Sequence, residues 1–299
     1  MTEGLVTLYD AVRAKWLRFE EPCRIISACS TEEVLPALKN VEALVRFHGW
    51  HAAGFLSYEA GSAFDAALRT HSVRDFPLLW FGLYAKSVET DLPDPNYEAY
   101  MLSDPEPSIS RADYDHAIGR VKRYIEAGDT YQVNYTLRLH AAFHGDPWHL
   151  FLAMVRAQID SRCQIPGSRL KPQIGNQESG IRNQESGSAG YAAYVDTGRY
   201  AICSASPELF FRCESGRLPC KPMKGTVHRG RTLDEDKALS SWLQNSEKNR
   251  AENLMIVDMI RNDLGRIADF GSVRVPVMFE VERHPTLWQM TSTITARCS

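Results

Sequence analysis

The stretch from Ser204 to Thr226, S-A-S-P-E-L-F-F-R-C-E-S-G-R-L-P-C-K-P-M-K-G-T, constrains this chain most, because it dictates where two extended arms must meet. Residues Glu208 to Cys213 read as a strand and Glu214-Ser215-Gly216 as its turn, so a β-hairpin is predicted. Such a hairpin brings a carboxyl, Glu208, and an amine, Lys224, into reach of one substrate although they stand sixteen positions apart. On residues alone the pair reads equally well as a solvated cross-strand ion pair, worth about a few tenths of a kcal/mol. Two features favour a site. Lys224 precedes Gly225-Thr226, where a missing Cβ lets backbone approach a ligand and a hydroxyl can donate or accept. Pro207 and Pro222 fix the backbone just ahead of the two titratable residues.

Length and charge narrow the function classes. A chain of 299 residues with 44% hydrophobic content can bury one large or two moderate cores. The net charge of −3 gives no general attraction to nucleic acid or to an anionic membrane. No basic segment precedes an apolar core at the start, and no run of 18 apolar residues occurs, so a cytoplasmic protein is expected. The seven cysteines include no C-x-x-C pair, which argues against both a disulfide framework and a zinc site. Cys220 lies near Lys224 without the base that a nucleophilic thiol needs.

Residues 1–90 mix a helix, Glu32 to Phe47, with strand-like runs at 54–58 and 78–84, an α+β pattern. His48 and His51 lack a third ligand and read as a helix C-terminus and a surface turn. Residues 91–108 are rich in Asp, Pro and Glu and read as a linker. The second unit, 109–299, begins with a helix from Ser110 to Ile125 and a strand at 131–139 on which Gln132 and Asn134 share a face. That polar pair reads equally as a pocket lining or as support for a loop. A helix at 147–158 follows. Residues 164–190 are rich in Gly, Ser, Gln and Asn and hold a direct repeat, I-G-N-Q-E-S-G at 174–180 and I-R-N-Q-E-S-G at 181–187, which reads as a mobile insertion. Strands are expected at 191–196, 273–277 and 291–295, with helices at 237–245 and 247–266. Thr226 to Leu233, basic through His228, Arg229 and Arg231, reads as a loop. Glu252, near the start of the last helix, is by itself ordinary dipole chemistry.

Four segments carry a resemblance: G-D-T-Y-Q-V-N at 128–134, S-A-S-P-E-L-F at 204–210, K-P-M-K-G-T at 221–226 and R-A-E-N-L-M-I-V-D-M-I-R-N-D-L-G-R at 250–266. In this order they resemble the chorismate-utilising enzymes, most closely the branch that forms aminodeoxychorismate, over about residues 108–299. The resemblance implies an α+β fold of mixed and antiparallel sheets with helices packed outside. It implies that Lys224 adds to chorismate at C2 as Glu208 protonates the departing C4 hydroxyl, and that ammonia then attacks C4 and expels the lysine. Gly225, Thr226 and Gln289 would hold substrate, and Glu252 would ligate Mg²⁺ that neutralises the substrate carboxylate. A separate glutaminase would supply the ammonia. Gln289 falls where many relatives carry His; an amide can hydrogen-bond but not transfer a proton near neutral pH. Anthranilate synthases resemble this chain less at position 224, where they carry Ala, and a Lys there directs amination to C4.

Relatives in this resemblance continue beyond the position of Ser299 through a Thr-Gly-Ala-Pro-Lys segment and a further Glu of the magnesium site. Two outcomes are therefore weighed, an active synthase and a chain that at most binds. A sheet made of 131–139, 191–213 and 273–295 would keep unpaired edges, so poor solubility and no synthase activity are expected of these 299 residues. Deleting 167–187 should leave the thermal melting midpoint nearly unchanged, because closure entropy grows only logarithmically with loop length. Circular dichroism melting of the deletion checks this, and a large loss of stability would refute it.

Overall fold

The computed structural model describes residues 3–72, 75–159, 190–284 and 286–298. Its elements in chain order are β1 (Val6–Asp10), β2 (Lys15–Phe19), β3 (Arg24–Ala28), α1 (Thr31–His48), β4 (His51–Leu56), β5 (Leu79–Tyr84), β6 (Val88–Thr90), β7 (Tyr100–Leu102) and β8 (Glu106–Pro107). There follow α2 (Arg111–Glu126), β9 (Leu139–His140), β10 (Phe143–Gly145), α3 (Pro147–Ile159), β11 (Tyr191–Asp196) and β12 (Ala201–Ser206). The last are β13 (Arg217–Cys220), β14 (Met223–His228), α4 (Leu233–Asn245), α5 (Glu247–Gly265), β15 (Arg274–Arg283) and β16 (Leu287–Arg297). This is an α+β fold with antiparallel sheets.

Three sheets matter. In the first, β5 lies between β3 and β4. Helix α1 packs its Val34 and Val41 against Ile26, Leu79 and Leu83 of that sheet. Its C-terminus closes on Gly49 at φ 67°, a left-handed conformation that suits a residue without Cβ, and the Gly49 N–H donates to the Val45 carbonyl. His48 ends the helix and stacks on Trp50 at 4.0 Å between ring centroids, whereas His51 opens β4 opposite Tyr84 instead of lying in a turn.

The second sheet has the order β12-β11-β1-β2-β6, so the first strand of the chain pairs with residues beyond 190, Val6 opposite Val195. Its faces are covered on one side by α3, through Phe151, Leu152 and Val155, and on the other by Trp80 and Tyr84. The Tyr84 hydroxyl is buried and donates to the Gly4 carbonyl at 2.7 Å, and burial raises its pKa well above the usual range.

The third sheet is organised on β16. One edge pairs with β15; the other pairs first with β13, Arg217 opposite Arg297, and then with β14, Val227 opposite Trp288. β13 and β14 are thus successive pieces of one pairing line, interrupted at Lys221-Pro222, where a residue without an N–H cannot continue a ladder. Leu218, Cys220, Ile294 and Ala296 bury one face against Val257 and Leu264 of α5.

Several expectations change. Residues 208–213 form no strand: β13 pairs with β16, and only a single bridge, Glu214 to Arg217, survives of the predicted hairpin. The turn itself is present, with Ser215 at φ 49° and Gly216 at φ 71°. The eleven-residue β16 offers a longer ladder than the short segment with exposed Phe210 and Phe211 could. Residues 131–138 are not a strand either, because no neighbouring strand pairs with them among the described residues; only Leu139–His140 pairs, with β8. Gln132 is partly buried with its Oε1 unpartnered among the described residues, whereas Asn134 is exposed, so the two do not act as a pair on a pleat. The single sheet expected from 131–139, 191–213 and 273–295 is in fact split between separate sheets. The 91–108 stretch contributes β7 and β8, with Tyr100 buried. The basic stretch after Thr226 keeps strand structure to His228. The expected insertion, apart from Gly190, lies outside the described residues, as does Cys163. The described cysteines are free thiols; burial holds Cys203 up at about 11 and also raises Cys220, which makes neither a ready nucleophile. Among the described residues no helix is long and apolar enough to cross a membrane.

Tyr84→Phe should lower stability by about 1–3 kcal/mol, since the Gly4 carbonyl loses its buried donor. Urea denaturation at matched m-value checks this, and an unchanged midpoint would remove the anchor role.

Candidate active site

Lys224 sits in an irregularity of β14. Met223 is opposite Thr291 and Thr226 opposite Gln289, so the register slips by one across Lys224-Gly225, a β-bulge. Bulges re-aim side chains and concentrate next to active sites. Gly225 adopts φ +96°, which an L side chain resists, and an added Cβ there would lie 3.1 Å from Asn249 Cβ and 3.2 Å from Leu243 Cδ1. Glycine at 225 is therefore required twice, by its dihedral angle and by the close approach of α4 and α5.

Three of the residues singled out in the sequence clamp this bulge. On its near side the Glu208 carboxylate accepts the Met223 N–H at 3.1 Å, which brings it to the backbone one residue before Lys224 without the hairpin. The Glu208 N–H in turn donates to Ser206 Oγ at 3.3 Å. On the far side Thr226 Oγ1 donates to Gln289 Oε1 at 2.8 Å, and Gln289 Nε2 donates to the Gly225 carbonyl at 2.9 Å. Gln289 is buried with both ends of its amide engaged. Glu208, Lys224, Gly225, Thr226 and Gln289 thus form one constellation. Glu252 is not hydrogen-bonded into it: it lies on α5, its side chain 35% exposed, with Oε1 3.8 Å from Lys248 Nζ. Among the described residues no group of three His, Cys, Asp or Glu stands ready to hold a metal.

Two supporting networks escaped the sequence. Asp236 in the first turn of α4 takes a bidentate pair from Arg229, 2.8 Å and 2.6 Å, and also accepts from the Gly230 N–H and from Trp288 Nε1. Arg229 donates as well to the His284 carbonyl and lies 4.9 Å over the Trp288 ring. The Arg229 hydrogen bonds, ahead of the other donors, hold the Asp236 carboxyl far below the usual range. Trp288 adjoins Gln289, so this clamp fixes α4 to the strands that present the bulge. An acidic residue in a first helical turn reads as dipole chemistry, and nothing in the sequence marks it as buried. Asn253, fully buried beside Glu252, accepts from Ser292 Oγ at 2.6 Å, and Ser292 Oγ accepts from the Phe279 N–H.

Beside the geometry stand the comparisons with known proteins. A family model described as chorismate binding enzyme matches residues 93–165 and 182–299. The chain belongs to that family. Aminodeoxychorismate synthase component 1 of Escherichia coli is 36% identical over 203 residues, 68% of this chain and 38% of that protein. Anthranilate synthase component 1 of Aquifex aeolicus is 31% identical over 187 residues, 62% of this chain and 32% of that protein. The matched segment thus spans 38% and 32% of these two relatives' lengths. Among solved structures, anthranilate synthase component I from Streptococcus pneumoniae aligns with a TM-score of 0.67 at 19% identity, covering 99% of this chain and 69% of that one. A Bacillus anthracis structure titled as a 2,3-dihydroxybenzoate-specific isochorismate synthase gives 0.67 at 15% identity, covering 100% and 69%. These structural likenesses establish the chorismate-utilising enzyme fold.

Asp236→Asn should destabilise the fold by about 3 kcal/mol at neutral pH, because the largely covered Arg229 guanidinium is left without its counter-charge. The depressed carboxyl contributes stability that is fully present above the ordinary carboxylate range, near pH 4, and is lost as the pH falls through its folded value. The wild-type melting temperature should therefore fall on acidification more steeply than that of the variant. Parallel acid limbs in a melting series from pH 7 to pH 3 would refute the assignment.

Proposed function

We propose that this chain is the chorismate-binding part of an aminodeoxychorismate synthase component I, which converts chorismate and ammonia to 4-amino-4-deoxychorismate on the route to 4-aminobenzoate and folate. The observation that carries this reading is the Lys224 bulge flanked by the Glu208 carboxylate, on a chain 36% identical to the Escherichia coli component 1. The Lys224 amine would attack C2, forming a C–N bond as the C4–O bond breaks and Glu208 delivers a proton to the leaving hydroxyl. Ammonia would then form a bond at C4 and return the electron pair to the lysine nitrogen. With C2 occupied by lysine, ammonia is directed to C4.

Thr226 and the Gly225 backbone would orient a substrate carboxylate, and Gln289 would hold both in position. Mg²⁺ keeps most of its waters and is bound through one or two protein carboxylates together with substrate oxygens, so Glu252 fits as one ligand of such an ion. The ion would neutralise substrate charge. Ammonia is scarce as the free base near pH 7, so a glutaminase subunit is the partner this chemistry calls for, and the setting would be cytoplasmic. A second reading is a module that binds chorismate without turnover.

The deciding assay supplies chorismate, ammonium and Mg²⁺ to these 299 residues, and to the same residues joined to the C-terminal portion of the Escherichia coli relative. Aminodeoxychorismate should form in the joined chain and disappear in its Lys224→Ala variant. Near-normal C4 amination in that variant would end the covalent role of Lys224. Product from neither wild-type chain, with chorismate still bound, would favour the second reading.

Glu252→Gln should shift the Mg²⁺ dependence of turnover to higher concentration, because one anionic oxygen is lost from a hard-cation site. Superimposable magnesium titrations of wild type and variant would return Glu252 to its dipole role.

A further inference from the structure

The opposite face of the β16 sheet presents a second constellation. Leu218, Cys220, Ile294 and Ala296 point into the core, so the alternating residues Arg217, Pro219, Thr295 and Arg297 stand on the outer face. Arg274 of β15 joins them from the position opposite Thr295. With Arg212 these residues line a cavity of about 880 Å³ that shares no lining residue with the Lys224 constellation. Arg217 and Arg297 are direct cross-strand partners, and both are exposed. Like charges so placed destabilise a sheet, and neighbouring Cβ atoms in such a pair lie about 5 Å apart.

The other charges do not relieve this pair. Arg212 is taken by Glu214, and Arg274 spends Nη1 on the Gly271 and Val273 carbonyls. Neither Arg217 nor Arg297 has a side-chain hydrogen bond or ion pair among the described residues. Asp269 and Glu214 also line the cavity, which still carries four guanidiniums against two carboxylates. Guanidiniums a few ångströms apart form a fork that matches the oxygens of a phosphate or carboxylate, each able to donate two parallel hydrogen bonds.

We propose that this face binds a small polyvalent oxyanion, bridged between Arg217 and Arg297 with Arg274 behind it. The ligand offsets a repulsion that the sheet otherwise carries, and the site is separate from the chorismate chemistry. Phosphate and carboxylate share the recognising chemistry, so the test has an arm for each. The 299-residue chain is titrated with inorganic pyrophosphate or with citrate at constant ionic strength held by KCl, and the melting temperature and calorimetric heat are followed.

A saturable rise in melting temperature is expected in at least one arm; an effect confined to one assigns the head group. The double variant Arg217→Gln, Arg297→Gln should weaken binding tenfold or more. Without ligand it should melt no lower than the wild type, since the opposed charges are gone. Arg283→Gln, on the same strand as Arg274 but outside the cavity, should bind as the wild type does. The proposal is overturned if neither anion acts beyond KCl, or if the double variant keeps the wild-type half-saturation. It is equally overturned if the double variant melts well below the wild type in the absence of anion, because the arginines would then be serving the sheet itself.

Discussion

The placement of the candidate site depends on the carboxylate of Asp236. Its four donors come from two segments: the Arg229 side chain and the Gly230 backbone just after β14, and the Trp288 indole on β16. Its own backbone belongs to α4. One buried charge therefore ties a helix start to the end of β14, within four residues of Thr226, and to β16 at the neighbour of Gln289. A buried ion pair is poor evidence of net stability; what this one can contribute is specificity, because an alternative register would leave the charge unpaired. A slip of one residue would carry Trp288 to the other face.

A defined register matters because the site is a defect within it. At Lys224-Gly225 the ladder gains an extra residue, and the unpaired backbone on either side is claimed by side chains, Glu208 at Met223 and Gln289 at Gly225. The residues that a chorismate chemistry would use are thus the same ones that stabilise the distorted backbone. Such a site is preorganised before any ligand arrives, which reduces the reorganisation needed when charge develops.

How far the sequence made this legible follows from the range of each interaction. The helices at 31–48, 111–126 and 247–265 were readable because periodicity, an N-cap Ser and a terminal Gly are local signals. The turn at Ser215-Gly216 was readable for the same reason. The hairpin partner of β13 was not, because the choice between residues 208–213 and β16 is made by the total length of ladder available. Residues 131–138 show the same limit: their β-branched and aromatic character needs a neighbouring strand before it becomes structure. Glu208, Lys224, Gly225 and Thr226 stood out through motif, and what the structure shows is the Glu208 carboxylate reaching the backbone N–H of Met223, one residue before Lys224, rather than strand pairing. Arg229, Asp236 and Trp288 stayed hidden because no local signal marks Asp236 as buried, and the contacts that join the pair to Trp288 and His284 span more than fifty residues.

The pairing of β1 with β11 has a consequence for how the protein is made. Val6 finds Val195 only after the intervening chain has been synthesised. At translation rates of about 5–20 residues per second, that is an interval of roughly 10–40 s. During this time one edge of β1 has no strand to pair with, while β2 is available almost at once. Strand β1 therefore waits long after it emerges to complete its sheet, and its free edge is where a nascent chain would be open to chaperones, or to pairing with another copy.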